Sequence, residues 1–219
     1  MQIAIDGPAG AGKSTVAKRV AQTLDFLYID TGAMFRSLTY EAIRRKIDLS
    51  NGAELRRLLE SLEIELKQHK NGQRVYINGE DVTAQIRSQE VSNRVSIVAA
   101  HKEVREEMLI RQQRMAQQGH VVMDGRDIGT CVLKDAELKI FLTASVEERA
   151  RRRYAELIEN GIETSLEQLK KEIEERDKRD SERAVAPLKK ADDAIEIDTT
   201  HLSIDDVVEN ILTLAKERS

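Results

Sequence analysis

The sequence predicts an α/β fold in which a parallel sheet carries helices on both faces. Short apolar runs alternate along the chain with longer stretches whose apolar residues have helical spacing, and this alternation is typical of such a sheet. The segment Gly7–Ser14, GPAGAGKS, follows the apolar run Ile3–Ile5 and precedes a helical pattern. A third observation is the stretch 62–86, where two Asn-Gly pairs between short alternating runs indicate a small antiparallel insert.

The first third of the chain shows the alternation clearly. Ile3–Ile5 is a predicted strand, and Val16, Val20 and Leu24 lie on one side of a helix predicted over 14–24. The next elements are, in order, a strand at 26–29, a turn and helix start at Asp30-Thr31-Gly32, a helix at 33–46, a break at 49–52 and a short helix at 54–61.

The insert consists of short strands joined by tight turns. Leu62, Ile64 and Leu66 alternate with polar residues, and the turns are predicted at Asn71-Gly72 and Asn78-Gly79. The remaining predicted elements are helices at 89–100 and 102–118, strands at 121–124 and 138–142, helices at 146–160 and 165–181, a strand at 194–197, and a helix at 203–216 that Ser203 and Asp206 cap.

Composition restricts the class of protein. The chain has 219 residues, 40% hydrophobic and 34% charged, which fits one folded domain or one domain with an insert. It shows neither a membrane-length apolar run nor a signal peptide, so we expect a cytoplasmic protein without a membrane partner. Cys131 is the only cysteine, so we expect no intramolecular disulfide and a small core side chain there. The net charge of −4 argues against broad nucleic-acid binding.

The GPAGAGKS segment has the residues that cradle a phosphate chain. Its glycines let backbone N–H groups turn inward, and the N-terminus of the following helix adds partial positive charge. Lys13 supplies a mobile positive charge for the terminal phosphates, and the Ser14 hydroxyl suits Mg²⁺. Asp124, at the end of a predicted strand, either holds Mg²⁺ through water or caps the following turn.

Two arginine-rich stretches each allow two interpretations. Arg176, Arg179, Asp180 and Arg183 share a helix face by their spacing. This face is either a solvated ladder of ion pairs or a site for a second phosphate-bearing ligand, and the nearby phosphate loop favours the ligand.

The second arginine-rich stretch is Arg149–Arg153, which holds four arginines among five residues. Because Glu147, Glu148 and Glu156 lie close in sequence, the stretch is either a salt-bridged helix or a mobile lid over ATP.

Beyond these features, the sequence resembles the bacterial cytidylate kinases over essentially its whole length. The resemblance rests on DGPAGAGKST (6–15), DTGAMFR (30–36), NGEDVTAQIRSQEVSNRVS (78–96), DGRDIGT (124–130), KIFLTASVEERARRR (139–153) and RDKRDSERAVAPL (176–188). It implies a P-loop enzyme that transfers the γ-phosphoryl group of ATP, with Mg²⁺, to CMP or dCMP.

The implied fold resembles adenylate kinase: three α/β/α layers around a five-strand parallel core sheet, a small antiparallel β insert and a short helical lid. In one domain over 1–219, the core would cover 1–30, 118–147 and 185–219. The monophosphate-binding region with the insert would cover 31–117, and the lid and acceptor-binding helices would cover 148–184. We expect a monomer.

The resemblance also implies roles for individual residues. Those expected to bind ATP are Gly7, Pro8, Ala9, Gly10, Ala11, Gly12, Lys13, Ser14 and Thr15. Those expected to bind CMP are Thr31, Arg36, Ser96, Arg105, Arg126, Asp127, Arg176, Asp180 and Arg183. Arg36, Arg126 and Arg176 would contact the phosphate, Ser96, Arg105 and Asp127 the cytosine, and Asp180 and Arg183 the sugar and nearby base. The expected catalytic residues are Lys13, Arg126, Arg153 and Arg176, and the metal site would use Ser14 and Asp124.

Two residues depart from the family pattern. Phe35 stands where the family commonly has Tyr, and Thr31 where some members have Ser. Three rival functions remain: a kinase for another small acceptor such as UMP, a regulatory nucleotide switch, and an RNA-binding protein. We find no switch motif, and the acidic balance with 3% aromatic residues argues against RNA binding.

Overall fold

The computed structural model describes residues 1–70 and 72–218. Its strands are β1 (Gln2–Asp6), β2 (Leu27–Asp30), β3 (Ile64–His69), β4 (Gly72–Ile77), β5 (Glu80–Asp81), β6 (Val121–Gly125), β7 (Leu138–Thr143) and β8 (Ile195–Asp198). Its helices are α1 (Lys13–Leu24), α2 (Thr31–Arg44), α3 (Gly52–Glu60), α4 (Gln89–Val98), α5 (Lys102–Ala116), α6 (Val146–Glu159), α7 (Leu166–Glu182) and α8 (Ile204–Lys216).

The main sheet has five strands in the order β2-β6-β1-β7-β8. Its central strand β1 runs parallel to both neighbours, with Ile3 opposite Val122 on one side and Leu138 on the other. Ile3 and Ile5 are fully buried because the strand has neighbours on both sides and helices above. The predicted α/β fold with a five-strand parallel sheet is confirmed.

A second sheet, of three antiparallel strands in the order β3-β4-β5, forms the predicted insert. Asn78 and Gly79 have φ angles of 49° and 83° and connect β4 to β5. Two positive φ angles are what a two-residue hairpin turn requires, and Asn-Gly supplies them at low cost. The other predicted turn includes Asn71, which lies outside the described residues.

The chain divides into two compact units. The first, residues 1–27 and 119–219, holds the phosphate loop. The second, residues 28–118, holds the three-strand sheet and has its own apolar core, which includes Leu38, Leu55 and Val98. The division of the domain into core, monophosphate-binding region and lid stays a prediction.

Side-chain capping places several helix ends away from their predicted positions. Helix α2 begins at Thr31, before the predicted start, because the Asp30 carboxylate accepts a hydrogen bond from the Ala33 N–H. Helix α3 begins inside the predicted break, since the Asn51 side chain accepts from the Glu54 N–H. The predicted cap of α8 by Ser203 and Asp206 is confirmed as a reciprocal capping box.

A helical turn that follows β6 has no counterpart in the prediction. Residues Ile128–Val132 form a single wide helical turn directly after β6. Cys131 lies in this turn and is partly exposed, so its prediction as a core residue is wrong. Within 1–70 and 72–218, no helix is both long and apolar enough to cross a membrane.

Candidate active site

The phosphate loop between β1 and α1 depends on glycine at defined points. A Cβ atom on Gly7 would lie 2.1 Å from the backbone oxygen of Leu142, so no larger residue fits there. Gly12 caps the start of α1 with a φ of 87°, a conformation that favours glycine. The loop therefore meets the backbone requirements of a phosphate cradle, followed by a helix N-terminus.

Lys13 lies buried beneath this loop. Its ammonium group donates a hydrogen bond to the backbone oxygen of Pro8 at 2.7 Å. Burial lowers the pKa of Lys13 well below its usual value, and the positive charges of Arg126 and Arg176 lower it further. The negative charges of Asp124 and Asp6 act in the opposite direction, and that of Asp124 is second among the charges only to Arg126. A phosphate at this point would relieve the repulsion among three cations.

Ser14 and Asp124 come together from distant parts of the sequence. The Ser14 hydroxyl donates to an Asp124 carboxylate oxygen at 2.9 Å, and Asp124 is 3% exposed at the end of β6. A hydroxyl and a carboxylate beside a phosphate cradle are the oxygen ligands that Mg²⁺ takes alongside substrate phosphates and water. The donor set therefore fits Mg²⁺. No cluster of three or more His, Cys, Asp or Glu that could hold a metal occurs in the described part of the chain.

Three arginines surround the buried carboxylate of Asp180, and we call these four residues the Asp180 cluster. Arg126 donates from Nε to Asp180 at 3.1 Å, and Arg176 lies 3.9 Å away. Burial tends to raise the pKa of Asp180, but Arg126, Arg176 and Arg183 outweigh burial and lower it. Three cations around one anion leave excess positive charge, which suits a second phosphate-bearing ligand.

Only part of the predicted arginine face on α7 points inward. Arg176 and Arg183 join the cluster, whereas Arg179 is exposed to solvent. The expectation that Arg179 shares the binding face is therefore wrong. A single face spans about a third of the helix circumference, and residue 179 falls at its outer edge.

Asp127 follows the same strand as Asp124. It is 6% exposed, and one of its carboxylate oxygens lies 4.0 Å from the Arg183 guanidinium. The Arg183 side chain also donates twice to the backbone oxygen of Ala186, at 2.8 and 2.6 Å, which holds it in place.

Four further predicted CMP-binding residues lie in the second unit. Arg36 donates to Asp30 at 3.1 Å, and its buried Nε has no hydrogen-bond partner among residues 1–70 and 72–218. Thr31 is buried at the start of α2. A helix start followed by a half-buried arginine has the chemistry of an anion site.

Ser96 and Arg105 are both buried in the second unit. The Ser96 hydroxyl is another buried polar group without a hydrogen-bond partner in the described ranges. Arg105 donates to the backbone oxygen of Ala99 at 3.0 Å, and its guanidinium lies 5.1 Å from the centre of the Phe35 ring. A phenyl ring can thus support this guanidinium by a cation–π contact, which requires no hydroxyl at position 35.

The arginines of α6 have distinct environments. Arg149 is buried, forms a bidentate pair with Asp177 at 2.6 and 3.0 Å, and donates to the backbone oxygen of Ala9 in the phosphate loop. Arg152 donates to Thr199 and to the backbone oxygen of Gly10. These two arginines tie the helix to the loop.

The other two arginines of α6 pair along the helix. Arg151 lies 3.0 Å from Glu148, and Arg153 lies 2.9 Å from Glu156. Arg151 is 71% exposed and Arg153 27%. Salt bridges within the helix are therefore present, and the lid role of Arg153 stays a prediction.

Sequence reasoning missed three residues that organise this region: Asp6, Asp177 and Thr199. Asp6 is a buried carboxylate that accepts hydrogen bonds from two backbone N–H groups. The signal for Asp6 was a charged residue at the end of an apolar strand. Asp177 and Thr199 carried no signal, because their partners on α6 and the phosphate loop are distant in sequence.

Comparison with known proteins defines the class. A family model described as "Cytidylate kinase" matches residues 3–217. A cytidylate kinase of Geobacillus sp. (strain WCH70) is 62% identical over 218 residues, 100% of this chain and 97% of the relative. A cytidylate kinase of Bacillus cytotoxicus is 60% identical over 217 residues, 99% and 96% of the two chains. The chain belongs to the cytidylate kinase family and is a phosphotransferase.

A solved structure supports the fold alone. An uncharacterized protein from Eubacterium ventriosum has a TM-score of 0.53 and 14% identity, and the match covers 100% of this chain and 99% of that one.

Proposed function

We propose that this protein transfers the γ-phosphoryl group of ATP to CMP or dCMP, giving ADP and CDP or dCDP. One observation supports the proposal beyond family membership. Arg126 and Arg176 lie close enough to Lys13 of the phosphate loop for their positive charges to lower its pKa. A donor phosphate and an acceptor phosphate would thus meet the same concentration of positive charge. Phosphoryl transfer depends mainly on such positioning and charge neutralisation.

On the donor side, the backbone of Gly7–Thr15 would hold the ATP phosphates. Lys13 would leave the Pro8 oxygen and bind the β- and γ-phosphates. Ser14 and Asp124 would hold Mg²⁺, directly or through water. When bound, the metal offsets charge on the phosphate oxygens.

On the acceptor side, we assign Arg36, Arg126 and Arg176, with Thr31 nearby, to the CMP phosphate. The support is the excess positive charge of the Asp180 cluster and the unpartnered Nε of Arg36 among the described residues. Guanidinium groups match the planar, bidentate geometry of phosphate oxygens. Asp180 and Arg183 would contact the sugar and the nearby base.

We assign recognition of cytosine to Asp127, Arg105 and Ser96. Cytosine has an amino donor at C4, which a carboxylate accepts, whereas uracil has a carbonyl that a carboxylate repels. Arg105 and Ser96 can donate to the ring nitrogen and the C2 carbonyl. The buried Ser96 hydroxyl, unpartnered in the described ranges, supports this assignment, because such groups normally have partners.

Arg153 is assigned to the transferring phosphoryl group as a lid residue. It is the less exposed of the two α6 arginines that pair along their own helix. Leaving Glu156 would cost little, since surface ion pairs are weak. A monomeric state and a cytoplasmic location remain predictions.

A panel assay tests the proposed function. ADP release is measured with Mg-ATP and each of CMP, dCMP, UMP and AMP as acceptor. We expect kcat/KM to be highest for CMP or dCMP. If UMP is used as well as CMP, the protein is a pyrimidine kinase of broader choice. ADP release without any acceptor would contradict the kinase assignment.

A further inference from the structure

Asp6 is buried at the end of β1 and uses both of its carboxylate oxygens on one segment. Oδ1 accepts a hydrogen bond from the Ile128 N–H and Oδ2 from the Gly129 N–H, each at 2.8 Å. Asp6 is 4% exposed, and it directly precedes Gly7, the first residue of the phosphate loop. No step assigned above uses this group.

The segment that Asp6 holds follows directly after Arg126 and Asp127. Before them, the backbone is set by the pairing of β6 with β1, where Asp6 lies opposite Gly125. After them, the backbone is set by the two hydrogen bonds to Asp6. The Asp127 backbone oxygen also accepts from the Cys131 N–H at 2.8 Å. The two functional side chains are thus fixed from both ends.

Charge makes this arrangement more specific than a structural cap. Burial raises the pKa of Asp6 to about 7, while the two backbone hydrogen bonds act in the opposite direction. The charges of Asp127 and Lys13 also act on Asp6, Asp127 raising its pKa and Lys13 lowering it. Asp6 therefore lies within electrostatic reach of both the phosphate-loop lysine and the carboxylate assigned to cytosine.

We propose that Asp6 is a positioning residue for acceptor recognition: it clamps the Ile128 and Gly129 amides and so fixes Arg126 and Asp127. The inference rests on the proposed function. A displacement of about 1 Å at a reacting or recognising group can cost on the order of 10²-fold in rate. The clamp would therefore affect the choice between cytosine and uracil as well as the overall rate.

The decisive variant is Asp6→Asn. Asparagine has nearly the same shape, but its amide group offers one acceptor and turns a donor towards the second N–H. We expect kcat/KM for CMP to fall by about 10- to 100-fold and the CMP/UMP ratio to narrow by about 10-fold.

The matched control is Glu137→Gln. Glu137 accepts a hydrogen bond from the Gln2 N–H at 2.7 Å, and Gln2 lies at the other end of β1 from Asp6. We expect this variant to keep both the activity and the ratio.

A purely structural role for Asp6 gives a different result. Loss of folded protein would lower activity with CMP and UMP by the same factor and leave their ratio unchanged. An unchanged ratio in folded Asp6→Asn protein would therefore overturn the proposal, whatever its total activity.

A second variant decides the matter if Asp6→Asn does not fold. Gly129→Ala keeps the carboxylate but places a Cβ atom 3.4 Å from Asp6 Oδ2 and 3.1 Å from a Lys139 side-chain carbon. We expect it to speed hydrogen exchange of the Ile128 and Gly129 amides and to narrow the CMP/UMP ratio in the same direction. Faster exchange of these amides with an unchanged ratio would overturn the proposal.

Hydrogen exchange separates this inference from the proposed function. Exchange of the Ile128 and Gly129 amides should be faster in Asp6→Asn than in wild type, with or without nucleotide. Wild-type protein that fails to phosphorylate CMP would refute the proposed function alone. Unchanged exchange of the two amides would refute the clamp alone.

Discussion

The phosphate loop and the Asp180 cluster, to which we assign the donor and acceptor phosphates, concentrate positive charge by opposite means. The loop uses backbone N–H groups and one lysine from a contiguous stretch, Gly7–Thr15. The cluster uses long charged side chains from two separate segments, with Arg126 after β6 and the others on or after α7. The charge of the loop is placed by its backbone conformation, whereas the charge of the cluster is placed by the positions of its guanidinium groups.

This difference has an energetic consequence. Backbone N–H groups carry only partial charge and repel one another weakly, so Lys13 is the one full positive charge that the loop contributes. The cluster brings together three full positive charges, and Asp180 offsets one of them. Substitutions in the loop should therefore remove catalysis, and substitutions in the cluster should mainly affect acceptor use.

Among substitutions in the phosphate loop, we expect Lys13→Ala to have the largest effect on catalysis. We expect kcat to fall by at least about 10³-fold, because the charge that follows the transferring phosphate is lost. The melting temperature should not fall, since Lys13 is buried with a lowered pKa and its removal relieves repulsion. Lys18→Ala, which lies further along α1, is the control and should remain active. Near-normal kcat in folded Lys13→Ala protein would contradict the kinase assignment.

Two arginines of helix α6 should have different roles, one in catalysis and one in stability. Arg153→Ala should lower kcat on the order of 10³-fold without changing the melting temperature. Arg149→Ala should instead destabilise the protein by about 2–3 kcal/mol, since it leaves Asp177 without its bidentate partner.

Steady-state kinetics and thermal unfolding separate these two effects. The control for Arg153 is Arg151→Ala, a 71% exposed neighbour that should leave kcat unchanged. If Arg153→Ala stays within a few fold of wild type, α6 is only a salt-bridged helix.

Two arginines of helix α7 test whether the Asp180 cluster binds the acceptor phosphate. Arg176→Ala should lower kcat/KM for CMP by about 10²-fold, mostly through a higher KM, because an inward charge for the acceptor phosphate is lost. Arg179→Ala should stay within about threefold of wild type, since Arg179 is exposed. Equal effects of the two substitutions would mean that net charge, and not the cluster, binds the acceptor.

The smallest expected effect concerns specificity. Asp127→Asn should lose mostly CMP activity and narrow the CMP/UMP ratio by about 10-fold, because the amide no longer presents only acceptors to the C4 group. Measuring kcat/KM for both nucleotides in wild type and variant gives the ratio directly. An unchanged ratio would remove Asp127 from base recognition.

Much of the fold could be predicted because the patterns that produce it are local. Short apolar runs such as Ile3–Ile5 form buried strands. Asn78-Gly79 supplies the two positive φ angles that a hairpin turn requires. Helix ends were less accurate, since the side chains of Asp30 and Asn51 captured N–H groups that a periodicity argument ignores.

The wide turn at Ile128–Val132 was missed for a related reason. Its first amides bond to Asp6, a residue from another strand. The pattern of apolar and polar residues within 128–132 gives no indication of a hydrogen-bond partner as distant in sequence as Asp6.

The sequence by itself determined the phosphate loop, since its glycines, lysine and serine act through the backbone of one contiguous segment. Only the tertiary structure decided that Arg176 faces Asp180 while Arg179 faces solvent, that Arg149 joins Asp177, and that Asp6 holds the turn after Asp127. The physical reason is range: backbone conformation depends on near neighbours, whereas the pairing of charges depends on which distant segments the parallel sheet brings to the same edge.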